Sequence, residues 1–160
     1  MDYLRVLVRT AEIIVWWSPA REQTMFFSDR GNDHSLKNMN GKLYPHPPLL
    51  FKACGSHLWV RALSKDKRPT AETRLCMAPY WNCYDNGVCC TGSMKIPQEK
   101  SVSAIDLWDE SFFQSEFTHA SGVRRSSKQA EHNGSGDAIR ATVNALWRNG
   151  TECDLPFINR

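Results

Sequence analysis

Between Ala78 and Ser93 the chain reads Ala-Pro-Tyr-Trp-Asn-Cys-Tyr-Asp-Asn-Gly-Val-Cys-Cys-Thr-Gly-Ser, and no other stretch constrains the fold as tightly. The Asn86-Gly87 pair favours a tight reversal, because both residues tolerate positive φ. The reversal fixes the position of the thiol pair beyond it, Cys89-Cys90, with Asn82 eight residues ahead of Cys90. An amide and a thiol so placed suit a nucleophile whose tetrahedral intermediate needs an oxyanion donor. The same residues also suit a hairpin with two buried cysteines, since free cysteine packs as a small hydrophobe.

A length of 160 residues fits one domain, 1–160, with a core large enough to need no staples. No window approaches the roughly 18 apolar residues of a membrane span, and a net charge of +3 gives no argument for direct nucleic-acid binding. The six cysteines are an even number. The opening Met1-Asp2-Tyr3-Leu4-Arg5 is nevertheless unlike a secretory signal, so a cytoplasmic protein with reduced thiols is expected. Cys76, Cys83, Cys89 and Cys90 are spaced by seven, six and one, which matches no zinc template. No glycine-rich phosphate loop is present, and no metal or other cofactor is expected.

The remaining chain reads as α+β. Residues 4–17 are rich in Val, Ile and Trp, and Glu12 to Trp17 suggest a strand covered on both faces. Gln23 to Ser28 form a second apolar run, close enough to predict an antiparallel hairpin with the first. Asp29 to Gly41 read as a surface loop. Leu43-Tyr44-Pro45-His46-Pro47-Pro48 is a rigid extended lead into a strand, Leu49–Cys54. Gly55-Ser56 turns the chain into an antiparallel partner, His57–Leu63, with Leu58, Val60 and Ala62 on one face and Trp59, Arg61 and Leu63 on the other. These four strands form a four-stranded antiparallel meander. Ser64 to Thr73 is a charged loop. Ser103 is placed to cap a helix whose stripe is Ile105, Trp108, Phe112 and Phe113, with Asp106 in its first turn, and this helix is expected to pack on the sheet. Residues 120–136 are polar and expected to be mobile. A last helix begins at Asp137, carries Ile139, Val143, Leu146 and Trp147 on one face, and stops at Asn149-Gly150.

Three residues can act together: Cys90 as nucleophile, Asn82 as oxyanion donor and His119 as proton carrier or orienting group. In an extended chain Cys89 and Cys90 face opposite sides, which leaves one exposed and the other turned inward. His119 also fits a surface or capping histidine, and Asn82 a turn residue bonded to local backbone. The order Asn82, Asn86-Gly87, Val88-Cys89-Cys90 resembles the active-site segment of ubiquitin-conjugating enzymes, in which His-Pro-Asn precedes a glycine turn and the acceptor cysteine. Longer segments resemble prokaryotic ubiquitin-conjugating-enzyme-like family D, in its PRTRC system B-protein branch. They are Leu58-Trp59-Val60-Arg61-Ala62-Leu63, Arg68-Pro69-Thr70, Ala78-Pro79-Tyr80-Trp81-Asn82, Cys90-Thr91-Gly92-Ser93, Ile96-Pro97, and Trp108 through His119. Two departures stand out: Tyr80-Trp81 replaces His-Pro, and the cysteine is doubled.

The resemblance implies a ubiquitin-conjugating-enzyme-like fold, a four-stranded antiparallel meander with helices packed on one side. It implies a carrier that accepts a bacterial ubiquitin-like protein as a Cys90 thioester from a ThiF-like activating enzyme and passes it to an amine, in a plasmid or integrative-element system. Two other readings stay open: a non-catalytic adaptor in a plasmid-maintenance complex, and a redox-sensing Cys89-Cys90 pair.

Overall fold

The computed structural model describes residues 5–28, 39–84, 86–99 and 101–118. Residues 119–160 lie outside them, and with them the expectations for His119, the segment 120–136 and the helix from Asp137. Eight strands and one α-helix are described, mostly antiparallel, and the chain is α+β.

The apolar run at 4–17 is itself a hairpin. Strand β1 (Val6–Arg9) pairs antiparallel with β2 (Ile13–Ser18). Thr10 closes the reversal: its amide donates to the Ile13 carbonyl at 2.8 Å and its hydroxyl accepts the Ile13 amide at 2.9 Å. Strand β3 (Arg21–Phe27) comes after Pro19-Ala20 but does not pair with β2, which corrects the hairpin expected there. The reason is that a strand has two edges. Those of β2 are taken by β1 and by β5 (Leu49–Cys54), which it meets from Ile13↔Cys54 to Ser18↔Leu49. β3 instead pairs antiparallel with β4 (Lys42–His46), where Pro45 is tolerated because β4 is an edge strand.

The β5 hairpin partner is β6 (His57–Leu63), as expected, turning through Gly55 at a φ of 56°. A short strand, β7 (Leu75–Met77), completes a five-stranded sheet in the order β1-β2-β5-β6-β7. The main sheet is thus a five-stranded one from which β3 is absent. The face of β6 bearing Leu58, Val60 and Ala62 joins the main core with Ile14, Trp16 and Phe51, while Leu63 packs with Val15, Leu50 and Leu75 on the reverse. Both faces of β2 are therefore covered, which is why its sequence is apolar without alternation.

Helix α1 (Ile105–Phe113) closes the main core. Its Ile105, Trp108, Phe112 and Phe113 are all buried. Trp16 stacks on Phe51 at 5.1 Å, and Phe112 meets Phe51 edge-on at 5.5 Å. Ser103 does not cap this helix. It sits inside a 3-10 turn, Val102–Ala104, with its hydroxyl on Ser101, so Ala104 occupies the cap position. Asp106 lies in the first turn, where Arg5 pairs with it at 2.8 Å. After α1, β8 (Glu116–Phe117) runs parallel to β3 and completes a second, three-stranded sheet, β4-β3-β8.

Candidate active site

The segment after β7 folds back on the free part of the β6 edge. Val88 bridges Trp59 in antiparallel sense, with the Val60 amide on the Gly87 carbonyl and the Cys89 amide on the Leu58 carbonyl, both at 2.8 Å. The reversal is closed by Gly87 N–H to the Tyr84 carbonyl and Tyr84 N–H to the Val88 carbonyl, each 2.8 Å. Gly87 takes positive φ, 85°, as the tight reversal requires. Asn86 works through its side chain, whose Oδ1 accepts the Val88 amide at 3.0 Å.

Gly87 is required for a second reason. A Cβ there would stand 2.8 Å from Arg61 Nε and 3.3 Å from the Val60 carbonyl oxygen. Arg61 lies on the reverse face of β6 and is 1% exposed, so its packed side chain has little room to yield; neither of its terminal nitrogens has an acceptor among the described residues. Gly87→Ala should therefore destabilise the protein by about 2 kcal/mol, from backbone strain and this contact together. Urea unfolding checks it; an unchanged midpoint would remove the argument for a constrained turn.

The hairpin sorts its thiols by face. Cys83 and Cys89 are buried, at 3% and 6% exposure, whereas Cys90 is half-buried. Cys83 and Cys89 form an antiparallel bridge with their sulfurs 2.9 Å apart. Burial, with Cys83 as neighbour, pushes the Cys89 thiol well up and keeps it neutral. Inward Cys89 and more exposed Cys90 match the alternation expected from the sequence.

Asn82 and Cys90 meet through the main chain, the Cys90 amide donating to the Asn82 carbonyl at 2.7 Å. The Asn82 side chain, 4% exposed, spans the β8 backbone: Nδ2 donates to the Glu116 carbonyl at 2.9 Å and Oδ1 accepts the Thr118 amide at 3.3 Å. It therefore replaces a neighbouring strand at that edge. Nδ2 carries a second proton, which has no acceptor among the described residues. A cleft of about 460 Å³ is lined by Thr24, Phe26, Asn40, Phe113 and Glu116 among others.

Where the sequence departs at Tyr80-Trp81, the structure supplies a different device. Tyr80 is buried, and its hydroxyl lies 2.7 Å from His46 Nδ1, while His46 Nε2 lies 3.2 Å from the Gln23 carbonyl. A carbonyl only accepts, so Nε2 carries the imidazole proton and Nδ1 accepts from Tyr80. Burial lowers the His46 pKa from 6.5 to about 4, against the raising effect of the Gln23 carbonyl and with help from nearby Arg21. Burial likewise raises Tyr80, keeping it a donor. The pair ties β3 and β4 to the entry of the hairpin.

Sequence reasoning missed this pair, and it missed Cys83. The second had a signal: Cys83 and Cys89 stand three residues either side of Asn86, the spacing of opposed residues across a reversal. Among the described residues no cluster of three or more His, Cys, Asp or Glu side chains could hold a metal ion, and no helix is long and apolar enough to cross a membrane.

A family model described as Prokaryotic E2 family D matches residues 3–148. No curated protein and no solved structure matches the chain.

Proposed function

The chain belongs to Prokaryotic E2 family D, and from that premise we propose that it is a carrier which holds a ubiquitin-like protein as a thioester on Cys90. The observation that carries the proposal is the sorting of thiols on the hairpin: Cys83 and Cys89 are closed off, and Cys90 is the more accessible sulfur, next to Asn82. The Cys90 thiolate attacks the thioester carbonyl on a ThiF-like activating enzyme and expels that enzyme's thiolate. An amine then attacks the new thioester, and the Cys90 thiolate leaves. The second Nδ2 proton of Asn82 is the donor available to the oxyanion in that step. The carrier works in the cytoplasm within a PRTRC system of a plasmid or integrative element, and His119 serves as its proton carrier or orienting group.

Incubation with the activating enzyme, the ubiquitin-like protein and ATP should give a reductant-sensitive adduct on a gel. It should vanish in Cys90→Ala and persist in Cys83→Ala and Cys89→Ala. Absence of the adduct, or its survival in Cys90→Ala, would sink the proposal.

The commitment of the Asn82 amide to β8 favours a second reading, a non-catalytic adaptor that keeps the fold for a plasmid-maintenance complex. On that reading Cys90→Ala leaves both partner binding and plasmid retention intact.

A further inference from the structure

Cys83 and Cys89 stand opposite each other in the hairpin that ends at Cys90. The flanking bonds, Tyr84 N–H to the Val88 carbonyl and Cys90 N–H to the Asn82 carbonyl, make them a non-hydrogen-bonded antiparallel pair. Such pairs bring Cα atoms to roughly 4.5 Å, within the roughly 4.4–6.8 Å that a disulfide spans without moving the backbone. The sulfurs are already in contact at 2.9 Å, both in the core. Cys90, on the opposite side of the extended chain, is not part of this pair. By geometry, the sulfur within reach of Cys89 is that of Cys83 across the hairpin rather than that of the adjacent Cys90.

We propose that Cys83 and Cys89 are a redox modification site, which hydrogen peroxide joins in a cross-strand disulfide that staples the hairpin presenting Cys90. One sulfur, as its thiolate, attacks a peroxide oxygen; the S–O bond forms, the O–O bond breaks, and the departing hydroxide takes up the thiol proton as water. The second sulfur attacks the resulting sulfenic sulfur, forming the S–S bond and expelling hydroxide, which leaves as water with the second thiol proton. Two thiols and one peroxide become one disulfide and two waters, the sulfurs giving up the two electrons that the peroxide gains. The high thiol pKa of Cys89 and the burial of both sulfurs make this slower than oxidation of Cys90. The site is independent of whether Cys90 carries an acyl group.

The test uses the full chain as Cys90→Ser, so that the more accessible thiol does not compete. The folded protein is treated with hydrogen peroxide, its remaining thiols are alkylated, and it is cleaved before Asp85, between the two cysteines. The fragments bearing Cys83 and Cys89 should stay joined until reductant is added, and should separate in Cys83→Ser and Cys89→Ser. Amide exchange at Tyr84 and Val88 should slow at least about tenfold on oxidation. Fragments that separate without reductant, each with an alkylated thiol, would overturn the proposal. So would a disulfide that forms only in urea.

Discussion

Replacing Asp109 by alanine should cost about 3–5 kcal/mol of folding stability, the range for removing one side of a buried ionic group. The carboxylate is 4% exposed and four donors converge on it. Trp16 Nε1 and the Ser18 hydroxyl donate at 2.8 Å each, Arg21 Nη2 at 3.1 Å, and Arg5 Nη2 completes the set. The two arginines keep side-chain exposures of 18% and 32%, so water can take over part of their solvation when the acid is gone. Trp16 and Ser18 have no such recourse, being almost wholly buried, and each orphaned donor costs roughly 1–3 kcal/mol. Most of the loss comes from these two. Asp109→Asn should recover little, because an amide presents donors where four donors already point. Urea unfolding should show a lower midpoint with an unchanged slope, nearly independent of salt, since the pairing is shielded from solvent. A loss under about 1 kcal/mol would mean that the network rearranges around the gap.

The consequence reaches the candidate site. Asp109 fixes α1 to Arg5, just ahead of β1, and to β2 and β3, and the same helix supplies Phe112 and Phe113, which wall in Tyr80 at 5.0 and 6.2 Å. Asp109 was legible in principle. It falls four residues after Ile105, on the apolar stripe of the helix, and a carboxylate on a buried stripe must have partners there.

Local signals suffice where one element decides the outcome. The β5–β6 hairpin follows from a glycine turn between two apolar runs, and the faces of β6 from strict alternation. The stripe of α1 follows from its period, and the opposed faces of Cys89 and Cys90 from the pleat. The features that stayed hidden depend on competition between distant segments. Nothing around Pro19-Ala20 says that β1 and β5 occupy both edges of β2, so proximity in sequence suggested a hairpin with β3 that the sheet has no room for. At three residues, β7 is too short to show a period. Ser103 has the right chemistry for a cap, but the 3-10 turn around it moves the helix start one residue beyond. Arg61 was placed on the correct face, yet nothing in the run Leu58–Leu63 shows that Gly87 will close over it. The position of Asn82 was legible from its distance to the thiol, but the commitment of its amide to β8 is a contact across 34 residues.

Acid should weaken the fold through His46 as the pH falls below 6.5. In the folded protein its pKa is lowered to about 4 from 6.5, because burial disfavours the charged ring. The unfolded chain therefore takes up a proton that the folded chain refuses as pH falls from 6.5 towards 4. The contribution of the neutral ring is fully present above the unfolded value and is lost through that window. At roughly 1.4 kcal/mol per pH unit for one proton, the loss approaches about 3 kcal/mol. The geometry gives the same sign. Protonation turns Nδ1 from acceptor to donor, so the buried Tyr80 hydroxyl can then only accept from it, and the Tyr80 proton is left with no acceptor among the described residues. The entry to the hairpin, two residues before Asn82, loosens first. Urea midpoints at about pH 7 and about pH 4.5, for the wild type and for His46→Gln, separate this from the carboxylates, which are common to both. The wild type should lose appreciably more stability than the variant between the two conditions. Parallel curves would assign the acid sensitivity elsewhere and leave the His46–Tyr80 contact as packing alone.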